Sequence, residues 1–241
     1  MSTPATVNPN PNANVKILVW DAPVRVFHWL LALSFAGAYV TAESDRWLAV
    51  HLTLGYTMAA LVAFRLVWGL LGTRYARFGS FLRGPASLVR YGRAMLAGRP
   101  EHHVGHNPAG SVAIMLLLGL SSAIVATGWL FYDVSSARWL KELHEGAAGL
   151  MLAVVGLHIG GAVLTSLLHR ENLVRAMING KKEGAPDQGI RRAWRPLALL
   201  ILAAVLGFWW LQWQSPATLG LNAKGLSAQD AKYDSKHKDD D

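Results

Sequence analysis

The sequence contains no cysteine among its 241 residues. This absence excludes disulfide bonds, iron–sulfur clusters bound through thiolates, and covalently attached haem c, whose attachment requires a pair of cysteines. The sequence also has no H-E-x-x-H zinc motif and no glycine-rich phosphate-binding loop. Charge is scarce too, since only 16% of the residues are charged while 52% are hydrophobic. Such proportions are typical of membrane proteins.

The apolar residues form long uninterrupted blocks. A bilayer core of about 30 Å requires roughly 20 consecutive apolar residues in a helix, and the sequence has five blocks of about this length, near residues 26–42, 48–71, 110–131, 143–168 and 196–213. These blocks predict an all-α fold, an integral membrane helical bundle with five transmembrane helices. The first fifteen residues lack the charged and apolar regions of a signal peptide, and we expect a disordered tail at residues 1–16.

The lysines and arginines between the blocks predict the orientation. The connection at residues 72–109 has six arginines and one acid, and the stretch after the fourth block is also basic. Positive charge is retained on the cytoplasmic side during insertion. We therefore expect a bacterial inner-membrane protein with a cytoplasmic N-terminus and a C-terminal tail, residues 215–241, in the periplasm. The net charge of +8 then reflects topology and contact with lipid headgroups, and no nucleic-acid partner is expected.

Four histidines lie within or at the edge of the apolar blocks: His28, His51, His144 and His158. The last two are fourteen positions apart, so they share one face of a helix at depths roughly 21 Å apart. From the direction of each span, His51 matches His144 toward the periplasm, and His28 matches His158 toward the cytoplasm. A haem iron accepts two imidazoles from facing helices. The pattern predicts two haem b groups, one for each pair.

Nearby glycines and arginines fit this interpretation. The glycines would let a flat macrocycle approach the helix backbones; they are Gly55, Gly146, Gly149, Gly156, Gly160 and Gly161. We expect Arg25 and Arg65 to contact the propionates of the inner haem, because buried cations need anionic partners. Two alternatives remain open: the arginines extend to lipid headgroups, and the glycines serve helix packing only.

The other histidines are expected to have no role in cofactor binding. We expect His169 at the membrane interface, and His102, His103 and His106 in a solvated cytoplasmic loop. His237 lies in the charged C-terminal tail.

Five segments of the chain resemble a known family: WDAPVRVFHWLL, HLTLGY, RLVWGLLGTRYARF, GHNPAGSVAIMLLLGL, and LHEGAAGLMLAVVGLHIGGAVLTSLLHRENLVRAMINGKK. Together they resemble the bacterial cytochrome b561 and nickel–iron hydrogenase b-type cytochrome family over residues 17–182. The resemblance implies a four-helix haem-binding core that exchanges electrons with membrane quinone and a redox partner. The family's haem ligands correspond to the same four histidines. For the implied quinone reaction, which exchanges protons near the membrane surface, the candidate groups are Glu142, Glu145, His169 and Glu171, and the sequence does not select among them.

The expected domain organisation follows. Residues 17–182 form a di-haem membrane domain of four transmembrane helices with the cytoplasmic loop 72–109, and residues 183–214 form a linker and a fifth transmembrane helix without histidine. The main hypothesis is an electron-transfer subunit, rather than a stand-alone catalyst, between the quinone pool and a periplasmic c-type cytochrome or hydrogenase-like subunit. Two alternatives are a membrane reductase of a small oxidant such as superoxide, and a haem-free transporter or anchor.

Overall fold

Five long helices account for most of the described residues of the computed structural model, which are 15–81, 84–98 and 103–214. They are α1 (Ala22–Thr41), α2 (Leu48–Leu71), α4 (Pro108–Trp129), α5 (Arg138–His169) and α7 (Arg195–Gln214). Each is long and apolar enough to span a bilayer. The predicted helical membrane fold is therefore confirmed. Helix α5 has 32 residues, a length of about 48 Å, so its ends extend beyond a hydrocarbon core of about 30 Å.

Polar side chains define where two of these helices begin. Asp21 precedes α1, and its Oδ1 accepts a hydrogen bond of 2.8 Å from the backbone N–H of Val24. Asn107 precedes α4, and its Oδ1 accepts one of 2.6 Å from Gly110. Pro108 follows at the first helical position, where its missing N–H has no cost. Both caps satisfy N–H groups that the helix itself leaves without acceptors.

A short antiparallel ribbon is the one β-structure of the described residues. Strand β1 (Val15–Leu18) pairs with β2 (Lys181–Gly184), with Val15 opposite Gly184 and Leu18 opposite Lys181. The ribbon corrects two sequence-based boundaries. Val15 and Lys16 lie in a strand instead of the predicted disordered tail, and the segment expected to be a linker begins inside β2. Residues 1–14 and 215–241, which include the rest of both tails, lie outside the described residues.

The predicted loop 72–109 and the region after α5 contain two short helices. Helix α3 (Pro85–Leu96) lies in the loop, and α6 (Leu173–Asn179) lies between α5 and β2. Helix α6 ends at Gly180, whose φ is 81°. A side chain at Gly180 would come within 2.5 Å of the carbonyl oxygen of Trp20, because this glycine accepts hydrogen bonds from Val19 and Trp20. Only glycine fits both the backbone conformation and this approach.

The described residues divide into two units. The ribbon unit comprises the described parts of residues 15–25, 65–119 and 150–195. Its core contains Ile17, Val19, Trp20 and Ala176, with Tyr75 and Val104 packed against them.

The histidine-pair unit comprises residues 26–64, 120–149 and 196–214. Its core joins α1, α2 and α7 through Phe27, Leu30, Leu61 and Val205. The indole N–H of Trp209 on α7 also donates a hydrogen bond of 2.9 Å to the hydroxyl of Thr57 on α2. The fifth membrane-spanning helix, α7, is therefore packed against α1 and α2 within this unit.

Candidate haem site

The imidazole rings of His51 and His144 lie close together in the histidine-pair unit. His51 lies near the start of α2 and His144 lies on α5, and their ring centroids are 6.2 Å apart at an interplanar angle of 72°. Metal–imidazole bonds are about 2 Å long, so two imidazoles on one metal have ring centroids roughly 6 Å apart. The separation therefore fits a shared metal ion such as a haem iron.

Main-chain carbonyl groups orient both rings. Nδ1 of His51 lies 2.8 Å from the carbonyl oxygen of Ala38, and Nδ1 of His144 lies 2.9 Å from that of Ile124. A carbonyl oxygen can only accept a hydrogen bond, so each Nδ1 carries the hydrogen and each Nε2 keeps its lone pair. Histidine ligands of metals are commonly held in this way. Both side chains are thus prepared to bind a metal through Nε2.

Helix α4 makes room for the His144 ring at Gly128. A Cβ added there would lie 2.9 Å from Cε1 of His144, closer than a carbon–carbon contact allows. The hydroxyl of Thr127 lies 3.3 Å from Nδ1 of the same ring. Sequence reasoning missed both residues, because nothing in the sequence indicates which face of α4 lies beside His144.

His28 and His158 belong to different units. His28 on α1 is half-buried, and its ring lies 5.0 Å from that of Trp29 at a right angle. His158 on α5 is also half-buried. Their predicted pairing as the ligands of a second haem stays a prediction.

Open space adjoins α5 near His144 and His158. Of the 32 residues of this helix, only Leu140 and Met151 are buried. An added Cβ at any of the predicted glycines, on α2 as on α5, would meet no atom within 4 Å; these are Gly55, Gly146, Gly149, Gly156, Gly160 and Gly161. Flat macrocycles fit beside these residues, although their role in binding stays a prediction.

The two predicted arginines contact main-chain carbonyl groups. The guanidinium of Arg25 donates hydrogen bonds to the carbonyls of Ile178 and Asp21. Arg65 is only 4% exposed; it donates to the carbonyl of Ala76 at 3.0 Å and lies 5.0 Å from the ring centroid of Phe78. The carboxylate of Asp21 also interacts electrostatically with both arginines, and binding of haem propionates by either arginine stays a prediction.

His106 corrects the expectation of a solvated loop. Its ring is stacked between those of Trp20 and Phe81, at centroid distances of 4.5 and 4.7 Å, and its Nδ1 is buried without a hydrogen-bond partner. Burial and the charges of Arg65 and Lys182 lower the pKa of His106 to about 3. The ring is therefore neutral at physiological pH. His103 is half-buried as well, and His102 lies outside the described residues.

Asp21 is a second residue that sequence reasoning missed. Its carboxylate is 1% exposed, and besides capping α1 it accepts hydrogen bonds from the indole N–H of Trp68 at 3.1 Å and the hydroxyl of Thr73 at 2.6 Å. A buried carboxylate needs such donors. Asp21 thereby connects the start of α1 to the end of α2, close to Arg25 in the chain.

Comparison with known proteins identifies the family of this chain. The sequence profile described as "Prokaryotic cytochrome b561" matches residues 19–180. This range contains the five segments quoted above except the last two residues of the fifth, Lys181 and Lys182. The chain belongs to this family. It is therefore a b-type cytochrome, a multi-pass membrane protein that binds haem b and takes part in electron transfer.

Named relatives of this cytochrome are hydrogenase subunits. The "Probable Ni/Fe-hydrogenase B-type cytochrome subunit" of Rhodobacter capsulatus is 23% identical over 220 residues, 71% of this chain and 83% of the relative. The protein of the same name from Rhizobium leguminosarum bv. viciae is 22% identical over 212 residues, 69% and 88% of the two chains. The "Probable Ni/Fe-hydrogenase 1 B-type cytochrome subunit" of Escherichia coli K12 is 23% identical over 209 residues, 67% and 88%. No solved structure matches the chain.

Proposed function

We propose that this cytochrome conducts electrons through two haem b groups between the quinone pool and a periplasmic redox protein. The outer haem is held by His51 and His144, and the inner haem by His28 and His158. The observation that carries the proposal is the 6.2 Å separation of the His51 and His144 rings, with both Nδ1 atoms already bonded to carbonyls. When bound, haem supplies one-electron chemistry at its iron.

Ligation by two histidines limits the reaction to electron transfer. It leaves no open iron position for a small oxidant. In the proposed arrangement, the carbonyls of Ala38 and Ile124 hold the outer imidazoles in one orientation and one tautomer, so the coordination changes little between the oxidised and reduced states.

The names of the relatives support a hydrogenase-like subunit as one candidate partner, and a c-type cytochrome is the other. The sequence of this chain does not identify the source of the electrons. The basic connections favour a cytoplasmic N-terminus in the bacterial inner membrane and a C-terminus in the periplasm.

The test is haem content after replacement of single histidines. We expect wild-type protein to contain two haems per chain, and His51→Ala or His144→Ala to contain one, measured by pyridine haemochrome absorbance. His28→Ala or His158→Ala should remove the other haem. His169→Ala is the matched control, since this residue also lies on α5, and it should retain both. Two haems in each of the four variants would contradict the ligand assignment.

A further inference from the structure

Helix α3 is amphipathic and lies in the connection between the membrane-spanning helices α2 and α4 of the ribbon unit. Its 12 residues give a length of about 18 Å, which is too short to cross a hydrocarbon core of about 30 Å. The helix therefore lies outside this core or along its surface. Its contacts and the distribution of its side chains favour the second position.

The segment before α3 stays beside the end of α2. The ring of Phe78 lies 5.0 Å from the guanidinium carbon of Arg65 and occupies the space where a Cβ at Gly69 would lie. Arg65 also donates a hydrogen bond of 3.0 Å to the carbonyl of Ala76. Arg65 and Gly69 belong to the last two turns of α2, which ends at Leu71. The chain that leads to α3 therefore folds back along the end of a membrane span instead of extending into water.

A buried tyrosine shows which side of α3 faces the protein. Tyr91 is only 5% exposed, and its ring centroid lies 5.8 Å from that of His103 at an interplanar angle of 78°. His103 precedes α4, which begins at Pro108. Tyr91 thus connects α3 to the segment that enters the next membrane span, and the opposite side of α3 points outward.

The outward side of α3 changes from apolar to positive around the helix. At about 100° per residue, the exposed and partly exposed side chains follow one another in the order Leu88, Val89, Arg93, Arg90 and Ala94. Leu88 and Val89 are 37% and 53% exposed. An apolar side bordered by arginines is typical of helices that lie in the interface of a membrane.

Arg90 and Arg93 form a positive pair on this helix. They are three positions apart, so their side chains are neighbours on the helix surface and their charges repel each other. An anion beside both guanidinium groups would reduce this repulsion. The connection 72–109 contains six arginines and one acid, so it contributes little negative charge of its own. Arginine binds phosphate through two parallel hydrogen bonds, which favours a phosphate as the anion.

We propose that α3 lies in the headgroup layer of the bilayer, where Leu88 and Val89 contact the acyl chains and Arg90 and Arg93 bind the phosphate of an anionic phospholipid. The leaflet is the one in which α2 ends, on the side that the sequence predicts to be cytoplasmic. Anionic lipids attract basic residues next to membrane spans in this way. The contact attaches the ribbon unit to the membrane surface and does not depend on haem or quinone.

The bilayer is favoured over a soluble acidic protein as the occupant of this surface. It already surrounds the helices that α3 connects, so its headgroups are available beside α3. A stable protein interface needs about 20 to 30 residues on each side. The exposed apolar surface described on α3 consists of Leu88 and Val89, which is small for such an interface but sufficient to enter the acyl-chain border.

The first test measures the depth of α3 in the membrane. Because the chain has no cysteine, Val89→Cys and Ala94→Cys each give one site for a nitroxide spin label in the holoprotein. Ala94 lies about 140° around the helix from Val89 and is the matched control. In phosphatidylglycerol nanodiscs, we expect a several-fold higher ratio of oxygen to nickel-complex accessibility at position 89 than at position 94, measured by power saturation. Similar ratios at the two positions would overturn the proposal.

A second set of variants tests the phosphate contact, with the spin label kept at position 89. Replacing both arginines, Arg90→Gln with Arg93→Gln, should increase accessibility to the nickel complex several-fold. The charge-conserving pair Arg90→Lys with Arg93→Lys should retain most of the protection. Arg191→Gln with Arg192→Gln removes the same charge from exposed positions outside α3 and should behave as wild type. An unchanged label in the α3 glutamine pair, or an equal change in the Arg191 and Arg192 pair, would overturn the proposal.

Lipid composition tests the selectivity for anionic headgroups. We expect the label at position 89 to be several-fold more accessible to the nickel complex in phosphatidylcholine nanodiscs than in phosphatidylglycerol nanodiscs, because the zwitterionic headgroup attracts the two arginines less. Equal accessibility in both lipids would overturn the proposed binding of an anionic phospholipid. Haem absorbance equal to that of wild type confirms that each variant is folded, since none of the replaced residues lies at the proposed haem sites.

Discussion

The ribbon unit and the histidine-pair unit are stabilised by different kinds of contact. In the ribbon unit, buried polar groups of the chain satisfy one another: Asp21 accepts from Trp68 and Thr73, and Lys182 pairs with Glu171. In the histidine-pair unit, apolar faces of α1, α2 and α7 pack together, while the ring centroids of His51 and His144 lie 6.2 Å apart. The polar contacts described in the ribbon unit join groups of the chain alone, whereas the histidine-pair unit brings together two imidazoles that we propose as haem ligands.

This difference indicates where a cofactor contributes to stability. A ligand that binds only the folded state stabilises it in proportion to its affinity and concentration. Binding of the proposed outer haem should therefore stabilise the histidine-pair unit directly, whereas the contacts around Asp21 in the ribbon unit should depend on hydrogen bonds within the chain. Variants in each unit can test this distinction.

Gly128→Ala should produce the largest effect, and only in the histidine-pair unit. The added methyl group would lie 2.9 Å from the His144 ring and displace it from its position beside His51. We expect haem content to fall from two to one per chain, measured by pyridine haemochrome absorbance. Gly119→Ala, also on α4 but with open space beside it, is the control. Full haem content in Gly128→Ala would show that the ring tolerates displacement.

Asp21→Ala should destabilise the ribbon unit. It removes a helix cap and leaves the donors of Trp68 and Thr73 without their acceptor, a loss of about 3 kcal/mol or more in the free energy of unfolding. Hydrogen exchange monitored by mass spectrometry should show faster exchange of the backbone amides in residues 65–81 and in the ribbon. Faster exchange confined to residues 26–64 would contradict the separation into two units.

Acid should weaken the ribbon unit through His106. Its pKa is about 3 in the folded protein and 6.5 in the reference state, so the unfolded chain binds the proton first. Stability is therefore complete above pH 6.5 and falls below it, approaching about 1.4 kcal/mol per pH unit until about pH 3. The charged or titratable neighbours are Arg65, Lys182 and His158.

Unfolding temperatures at pH 7.5, 6 and 5 measure this effect. The variant His106→Phe keeps a ring between Trp20 and Phe81. We expect its unfolding temperature to fall less between pH 7.5 and pH 5 than that of the wild type. His103→Phe controls for replacement of a loop histidine. Identical pH dependence in wild type and His106→Phe would assign the acid sensitivity to other groups.

Thr127→Val should have the smallest effect. It removes a hydroxyl 3.3 Å from Nδ1 of His144, while the stronger bond to the carbonyl of Ile124 remains. We expect both haems to stay bound and the midpoint potential of one to change by the equivalent of less than about 1 kcal/mol. Potentiometric titration measures the change, and equal shifts in both haems would argue against a local contact.

Sequence reasoning predicted the elements that depend on periodicity and hydrophobicity. The five apolar blocks are helices, and the rings of His51 and His144, which the sequence placed at matching depths, lie 6.2 Å apart. Their role as haem ligands stays a prediction. The β1–β2 ribbon was missed because each strand has only four residues and pairs across more than 160 positions. His106 was placed in solvent because a polar loop sequence does not reveal that Trp20 and Phe81 enclose it.

The amino-acid sequence by itself determined the membrane class, the five helices and the four histidines, because the length of an apolar run and the spacing of residues along a helix are local properties. Only the tertiary structure decided which carbonyls orient the imidazoles, why position 128 requires glycine, and which side of α3 is buried. Those features depend on atoms brought together from distant parts of the chain, and no local pattern specifies such contacts.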